Sequence, residues 1–246
     1  MKSGMRYAIL ISGGGTTAEQ IILATKEGGM LADITIALVV ASRPDAGGIE
    51  KALRAGIPEK DVIVRYPGGP LMTPEVFGEL LLLEFQDRGV DAFGQHGWMP
   101  NTPRNVIEAH PRRGINQHPG ALDPGRPDFG GEGMWGMRVH AATLLFARTA
   151  GRRNFCTEAT VQFVAPELDK GAVVARECVP IEKGDDPASL QSRVLQAEHA
   201  LCIRTIRQLA DDTLQELVRP EPLIRPEEYH LLWEAKQKAR ILYPRG

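Results

Sequence analysis

Over its first 118 residues the sequence alternates between short apolar runs and segments with helical spacing, and this alternation limits the folds open to the chain more than any other feature. Residues 7–12 form an apolar run that ends in Gly13-Gly14-Gly15-Thr16-Thr17, after which Ala18, Ile21, Ile22 and Ala24 recur at helical spacing. Residues 34–41 read as a second strand, almost continuously apolar and rich in β-branched side chains, as strands covered on both faces of a parallel sheet are. A turn at 42–45, a helix over about 46–55 and a third strand at 61–65 follow. Pro74 suits the first position of a helix running to about residue 88, with Thr73 as its cap and Val76, Leu80 and Leu83 on one face. Residues 90–95 and 114–118 read as strands four and five, separated by a short helix at 102–109 that Pro103 opens. The pattern predicts a doubly wound, mostly parallel α/β sheet with flanking helices, a Rossmann-like fold.

The second half has a different texture. Residues 119–136 hold three Pro and six Gly among eighteen positions, which predicts a loop, and loops of that length are usually functional or mobile. A helix at 137–149 follows, then strands near 157–164 and 172–180 joined by a turn at 166–171, an antiparallel extension of the sheet. A long helix at 187–210 carries an apolar stripe of Leu190, Val194, Ala197 and Leu201 that Cys202, Ile206 and Leu209 continue. Pro220, Pro222 and Pro226 then precede an amphipathic segment, 227–239. The expected division is one domain over 1–215, with halves at about 1–115 and 116–215, and a tail at 216–246.

Composition removes several function classes. With 29 Lys+Arg against 31 Asp+Glu, a net charge of -2, the chain lacks the basic footprint that phosphate backbones require, so no nucleic-acid partner is expected. Its apolar runs fall far short of the roughly 20 residues of a membrane span. Residues 1–6 lead straight into a strand with no secretory signal, so a cytoplasmic protein is expected. Cys156, Cys178 and Cys202 are odd in number and widely spaced, and they read as small buried hydrophobes rather than a disulfide framework. The six histidines are dispersed without H-x-x-x-H or H-E-x-x-H, so no metal is expected.

Four places offer chemistry. Gly13, Gly14, Gly15, Thr16 and Thr17 form a strand-to-helix turn whose N–H groups and helix dipole suit a phosphate or carboxylate; the alternative is a turn kept for close packing. With Ala18 the same turn satisfies G-x-G-x-x-G/A, and Arg43 after strand two then suits a 2′-phosphate. Asn116 and His118 lie two residues apart at the C-terminal end of strand five, where open α/β sheets bind ligands, and together they can donate to one oxygen on which charge develops. The bland alternative has His118 satisfied by backbone. Asp169, in the turn Pro166-Glu167-Leu168-Asp169-Lys170-Gly171, reads by itself as a turn former, and Glu198-His199 as a solvated helix face. Phe93, Trp98 and Met99, around the end of strand four, suit core packing or a pocket for a flat ring.

Taken in order, residues 9–17, Asn116-Gln117-His118-Pro119, Glu167-Leu168-Asp169-Lys170-Gly171 and Gln196-Ala197-Glu198-His199 resemble the folate-dependent formyltransferases over about residues 6–210. The resemblance implies the formyltransferase fold, a nucleotide-binding half joined to a folate-binding, catalytic half. It also implies the cosubstrate 10-formyltetrahydrofolate, no metal, and transfer of the formyl group to the amine of a small phosphorylated substrate, glycinamide ribonucleotide first, in purine biosynthesis. It places the catalytic trio on Asn116, His118 and Asp169, substrate phosphate on the glycine loop, and the substrate amine or ribose on Glu198. Folate contacts fall on Gly97, Trp98, Met99, Glu167 and Leu168. A homodimer is the assembly such enzymes suggest.

The chain departs from the family pattern in its Gly-Gly-Gly-Thr-Thr loop, which lacks an amide side chain, and at Pro74 and Pro100, where basic residues are usual. Gln162 stands where a His precedes the catalytic turn, the loop at 119–136 is longer than usual, and the tail does not align. An amino-sugar nucleotide as acceptor, or hydrolysis of the formyl folate, stay open as alternatives. From other classes, so do an NADP-dependent oxidoreductase and a non-catalytic binding protein of the same fold.

Overall fold

A computed structural model describes residues 4–69, 71–152 and 155–246. The elements are β1 (Arg6–Ile11), α1 (Thr16–Ala24), β2 (Thr35–Ala41), α2 (Gly47–Arg54), β3 (Val62–Val64), α3 (Pro74–Asp87), β4 (Ala92–Gln95), α4 (Arg104–Ala109), β5 (Gly114–His118), α5 (Met137–Thr149), β6 (Cys156–Phe163), β7 (Val173–Pro180), α6 (Pro187–Ala210) and α7 (Tyr229–Leu242). The strands lie in the order β3-β2-β1-β4-β5-β6-β7. β1 pairs in parallel with β2 and β4, β2 with β3, and β4 with β5, while β6 and β7 are antiparallel. This is the expected mostly parallel, doubly wound sheet with an antiparallel part. Successive strands are added outward from β1 first on the β2 side and then, from β4 on, on the other side, and this change of order between β1 and β4 is the switch point at which such sheets take their ligands. Among the described residues no helix is long and apolar enough to cross a membrane.

Two compact units make up the chain. One comprises the residues up to Gln117 with Cys202–Leu214, the other His118–Leu201 with Gln215–Gly246. In the first, β1 is buried from Tyr7 to Ile11 and β2 from Ile36 to Ala41, as the continuous apolar runs require. α3 begins as expected, with Pro74 at its start and Thr73 Oγ1 accepting the Val76 N–H at 3.3 Å. Its buried face, however, is Phe77, Leu81 and Phe85, whereas Val76 and Leu83 are exposed. Leu80 to Leu83 are consecutive, so periodicity did not single out one stripe. The two phenylalanines remove more surface from water than the leucine and valine alternatives, and Phe85 packs on Phe93 at 5.6 Å.

In the second unit the cysteine reading is corrected. Cys156 and Cys178, on the paired strands β6 and β7, form a disulfide with Cα atoms 6.0 Å apart, a separation that a disulfide spans. An odd total hid this pair, because the third cysteine, Cys202, is buried outside the disulfide. The loop at 119–136 has no regular element, as expected, but it is not a surface excursion. Ala121, Phe129 and Met134 from the loop share one core with Val139, Ala142 and Phe146 of α5 and with Ile224, Leu232, Ala235 and Ala239 of the tail. Phe129 lies 5.7 Å from Phe146 and 5.9 Å from Phe155, ring to ring. Phe129→Ala is therefore expected to lower the unfolding free energy by about 3–5 kcal/mol, readable by urea titration. A change below about 1 kcal/mol would mean that the loop does not fold as part of this core.

Candidate active site

β5 ends in Asn116-Gln117-His118, and strand alternation puts Asn116 and His118 on one face. Asn116 is half-buried, and the His118 ring is only 4% exposed. Both ring nitrogens of His118 face oxygens. Nε2 lies 3.2 Å from the Phe129 carbonyl, and Nδ1 lies 3.6 Å from Asp169 Oδ2. One nitrogen thus fits the backbone-satisfied reading of His118, and the other faces a carboxylate.

Asp169 reaches His118 because of the turn after β6. Its backbone is left-handed, φ 56°, a conformation that aspartate tolerates better than most residues. Gln162 Nε2, seven residues earlier on β6, donates to Asp169 Oδ1 at 2.9 Å, and the Gly131 N–H donates to Oδ2 at 2.8 Å. The carboxylate is therefore held from two sides by neutral donors. Gln162, which the sequence marks only as a departure, keeps a donor on Asp169 and carries no titrating ring. Glu167 and Leu168, in the same turn, are exposed.

A second imidazole stands near the first. His140, on α5, is 1% exposed, its Nδ1 has no hydrogen-bonding partner among the described residues, and burial followed by repulsion from His118 lowers its pKa to about 4. Nothing in the sequence around His140 marks it, and its burial follows from α5 being covered from Arg138 to Leu144 without a break. Glu198 is buried on α6, which corrects the expectation of a solvated helix face.

The first unit carries the glycine loop at the switch point. A side chain on Gly15, φ 65°, would begin 2.4 Å from the Gly48 Cα, so glycine is required there for packing against α2. Gly13 and Gly14 are exposed and a side chain on either would meet nothing within 4 Å, so packing does not account for them. They leave bare backbone at the start of α1, which suits an anion. The turn after β4 is tied to this loop. Ser12 N–H donates to the Gly97 carbonyl at 2.9 Å, and Ser12 Oγ accepts the Met99 N–H at 2.9 Å. Trp98 is buried and stacked on Phe77 at 6.3 Å, its indole N–H without a partner among the described residues, whereas Met99 is exposed. Behind the loop runs a buried polar chain. Tyr7 Oη lies 3.1 Å from His96 Nε2, His96 Nδ1 lies 2.8 Å from Gln117 Oε1, and Gln117 Nε2 donates to Thr17 Oγ1 at 3.2 Å. Burial lowers the His96 pKa to about 4 against a small opposing pull from Gln117. Arg43, the residue an NADP site would use, is paired with Asp45 at 2.8 Å.

Among the described residues no three His, Cys, Asp or Glu side chains gather as a metal site. What the second unit assembles is an imidazole and a carboxylate in contact at a strand end, a pair suited to stabilising an oxyanion and moving a proton.

The formyl transferase family profile matches residues 5–206. The chain is 31% identical over 234 residues to the chloroplastic phosphoribosylglycinamide formyltransferase of Arabidopsis thaliana, covering 92% of this chain and 73% of that one. It is 29% identical over 215 residues to the human trifunctional purine biosynthetic protein adenosine-3, covering 87% of this chain and 19% of that one. Among solved structures it is similar to glycinamide ribonucleotide transformylase 1 from Symbiobacterium toebii, with a TM-score of 0.73 at 28% identity, covering 88% of this chain and 96% of that one.

Proposed function

The chain belongs to the formyl transferase family and is a formyltransferase, and from that premise we propose that it transfers the formyl group of 10-formyltetrahydrofolate to the amine of glycinamide ribonucleotide in purine biosynthesis. The observation that carries the reading is the His118–Asp169 contact at the end of β5, in a chain whose relatives bear that enzyme's name over nine-tenths of its length.

In the proposed reaction the amine nitrogen attacks the formyl carbon and its carbonyl oxygen becomes an oxyanion. The bond to the folate nitrogen then breaks, that nitrogen gains a proton, and the attacking nitrogen loses one. His118 and Asn116 donate to the oxyanion, the reacting oxygen taking the place on His118 that the Phe129 carbonyl holds, and Asp169 balances the imidazolium charge. The bare backbone at Gly13 and Gly14, with Gly15, Thr16 and Thr17, binds the substrate phosphate. Glu198 takes the substrate amine or ribose. Gly97, Trp98, Met99, Glu167 and Leu168 contact the folate, Trp98 offering a flat ring and an N–H without a partner among the described residues.

The test is steady-state release of tetrahydrofolate from 10-formyltetrahydrofolate with and without glycinamide ribonucleotide. Release that requires the ribonucleotide is expected. Release without it would make the chain a hydrolase, and release that only an amino-sugar nucleotide supports would move the acceptor.

A further inference from the structure

The chain beyond residue 206 lies outside the family match, yet it grips the loop whose Gly131 N–H holds Asp169. We propose that Lys236, on α7, is a positioning residue for this pair, because it grips the carbonyl of the same peptide group whose N–H holds Asp169.

The geometry is a short relay. Lys236 Nζ donates to the Gly130 carbonyl at 2.6 Å and to the Asp128 carbonyl at 3.1 Å. The Gly130 carbonyl and the Gly131 N–H belong to one planar peptide unit, so an ammonium on its oxygen fixes where its N–H points and polarises it as a donor. That N–H bonds Asp169 Oδ2 at 2.8 Å, the oxygen that faces His118 Nδ1.

Glycine on both sides makes this peptide easy to turn, and so makes an anchor necessary. A side chain on Gly130 would begin 2.5 Å from Leu122 Cδ2 and 2.7 Å from Asp169 Cβ, so the backbone must pass bare against the aspartate. Gly131 has φ 91°, a region closed to other residues. A Gly-Gly peptide flips at little cost, and a flip would point its carbonyl at the Asp169 carboxylate.

Lys236 is placed to prevent this. Its helix is pinned by buried Leu232, Ala235 and Ala239 to the core that holds Phe129, and Arg240, one turn on, bonds the Glu132 carbonyl. The Lys236 amine is half-buried. Burial pulls its pKa below the usual lysine value against the opposing pull of Asp128, with Arg240 and Lys170 lowering it and Asp169 raising it.

The proposal rests on the formyl-transfer reading only for its kinetic readout. In the full chain, Lys236→Met is expected to lower kcat about ten-fold, as misplacement of a reacting group does, while KM for the ribonucleotide stays within about two-fold. The Gly131 amide and His118 imidazole nitrogen NMR signals should both move. Lys236→Arg, which keeps a cationic donor, should recover kcat in part, and Lys238→Met, on an exposed face of the same helix, should match wild type. Should Lys236→Met not fold, Lys236→Gln carries the same comparison. Wild-type kcat in the neutral variant, or a loss of kcat with the Gly131 and His118 signals unmoved, overturns the proposal. If the wild-type protein itself releases no tetrahydrofolate, the functional reading fails, and the NMR signals still decide whether Lys236 sets the pair.

Discussion

His118→Ala is expected to lower kcat for formyl transfer by about a thousand-fold or more, since in the proposed reaction it removes at once a donor to the oxyanion and a group that exchanges protons as the amine nitrogen loses one and the folate nitrogen gains one. Asp169→Asn keeps the shape of the turn and removes the charge. It is expected to cost about a hundred-fold, because a neutral amide no longer balances an imidazolium at 3.6 Å. Asn116→Ala should cost about a hundred-fold, the usual effect of losing one oxyanion donor. All three are to be read as kcat with both substrates saturating, beside a thermal unfolding curve for each protein. His118→Ala and Asn116→Ala leave both donors to Asp169, Gln162 Nε2 and the Gly131 N–H, in place. In Asp169→Asn the remaining oxygen keeps the Gly131 N–H while the Gln162 amide, turned over, accepts from the new NH2, so the fold should survive in all three. A folded His118→Ala protein that turns over at the wild-type rate would remove this histidine from the reaction.

Acidification should destabilise the protein well before its carboxylates are titrated. His96 and His140 have pKa values lowered from 6.5 to about 4, chiefly by burial, so the folded chain keeps both imidazoles neutral where the unfolded chain has already protonated them. The unfolded state thus binds more protons between pH 6.5 and about 4, and stability falls with pH across that window. It is fully present above about pH 6.5 and its loss levels off below about pH 4, with a limit of about 3 kcal/mol for each imidazole. Between pH 7.5 and 4.5 the two together should cost roughly 5 kcal/mol, measurable as a difference in urea unfolding free energy. Carboxylates act lower on the scale. Against its own burial, the Arg152 pair and the Arg225 N–H hold Glu228 below the usual range, so its contribution is lost only beneath the ordinary carboxylate value. Replacing His140 by leucine and His96 by phenylalanine should flatten the slope between pH 6.5 and 4.5, each by its own share. An unchanged slope in both would show that neither ring is neutral by burial.

The segments of the candidate site were legible in different degrees. Asn116-Gln117-His118 stood out because a strand end in an open α/β sheet is a defined place, and two polar residues in alternation there share a face. Asp169 looked like a turn former, and it is one, with its left-handed backbone. Only the pairing of β6 with β7 and the return of the 119–136 loop reveal that the same turn delivers its carboxylate to His118. Glu198 looked solvated because one helix face reads like another until its neighbours are known. The α3 stripe was misplaced for a related reason, that a run of consecutive leucines, Leu80 to Leu83, carries no phase.

By itself the sequence determined the strand and helix segments, the parallel sheet and the glycine turn, because buried strands, amphipathic helices and tight turns are each written in residues close together along the chain. The tertiary structure decided what depends on residues far apart: the Cys156–Cys178 bond, the neutral histidines, the shared core of loop and tail, and the Lys236 contact with a peptide 106 residues away. Those features come from who is buried against whom, and desolvation and hydrogen-bond geometry act through space without any local periodicity to announce them.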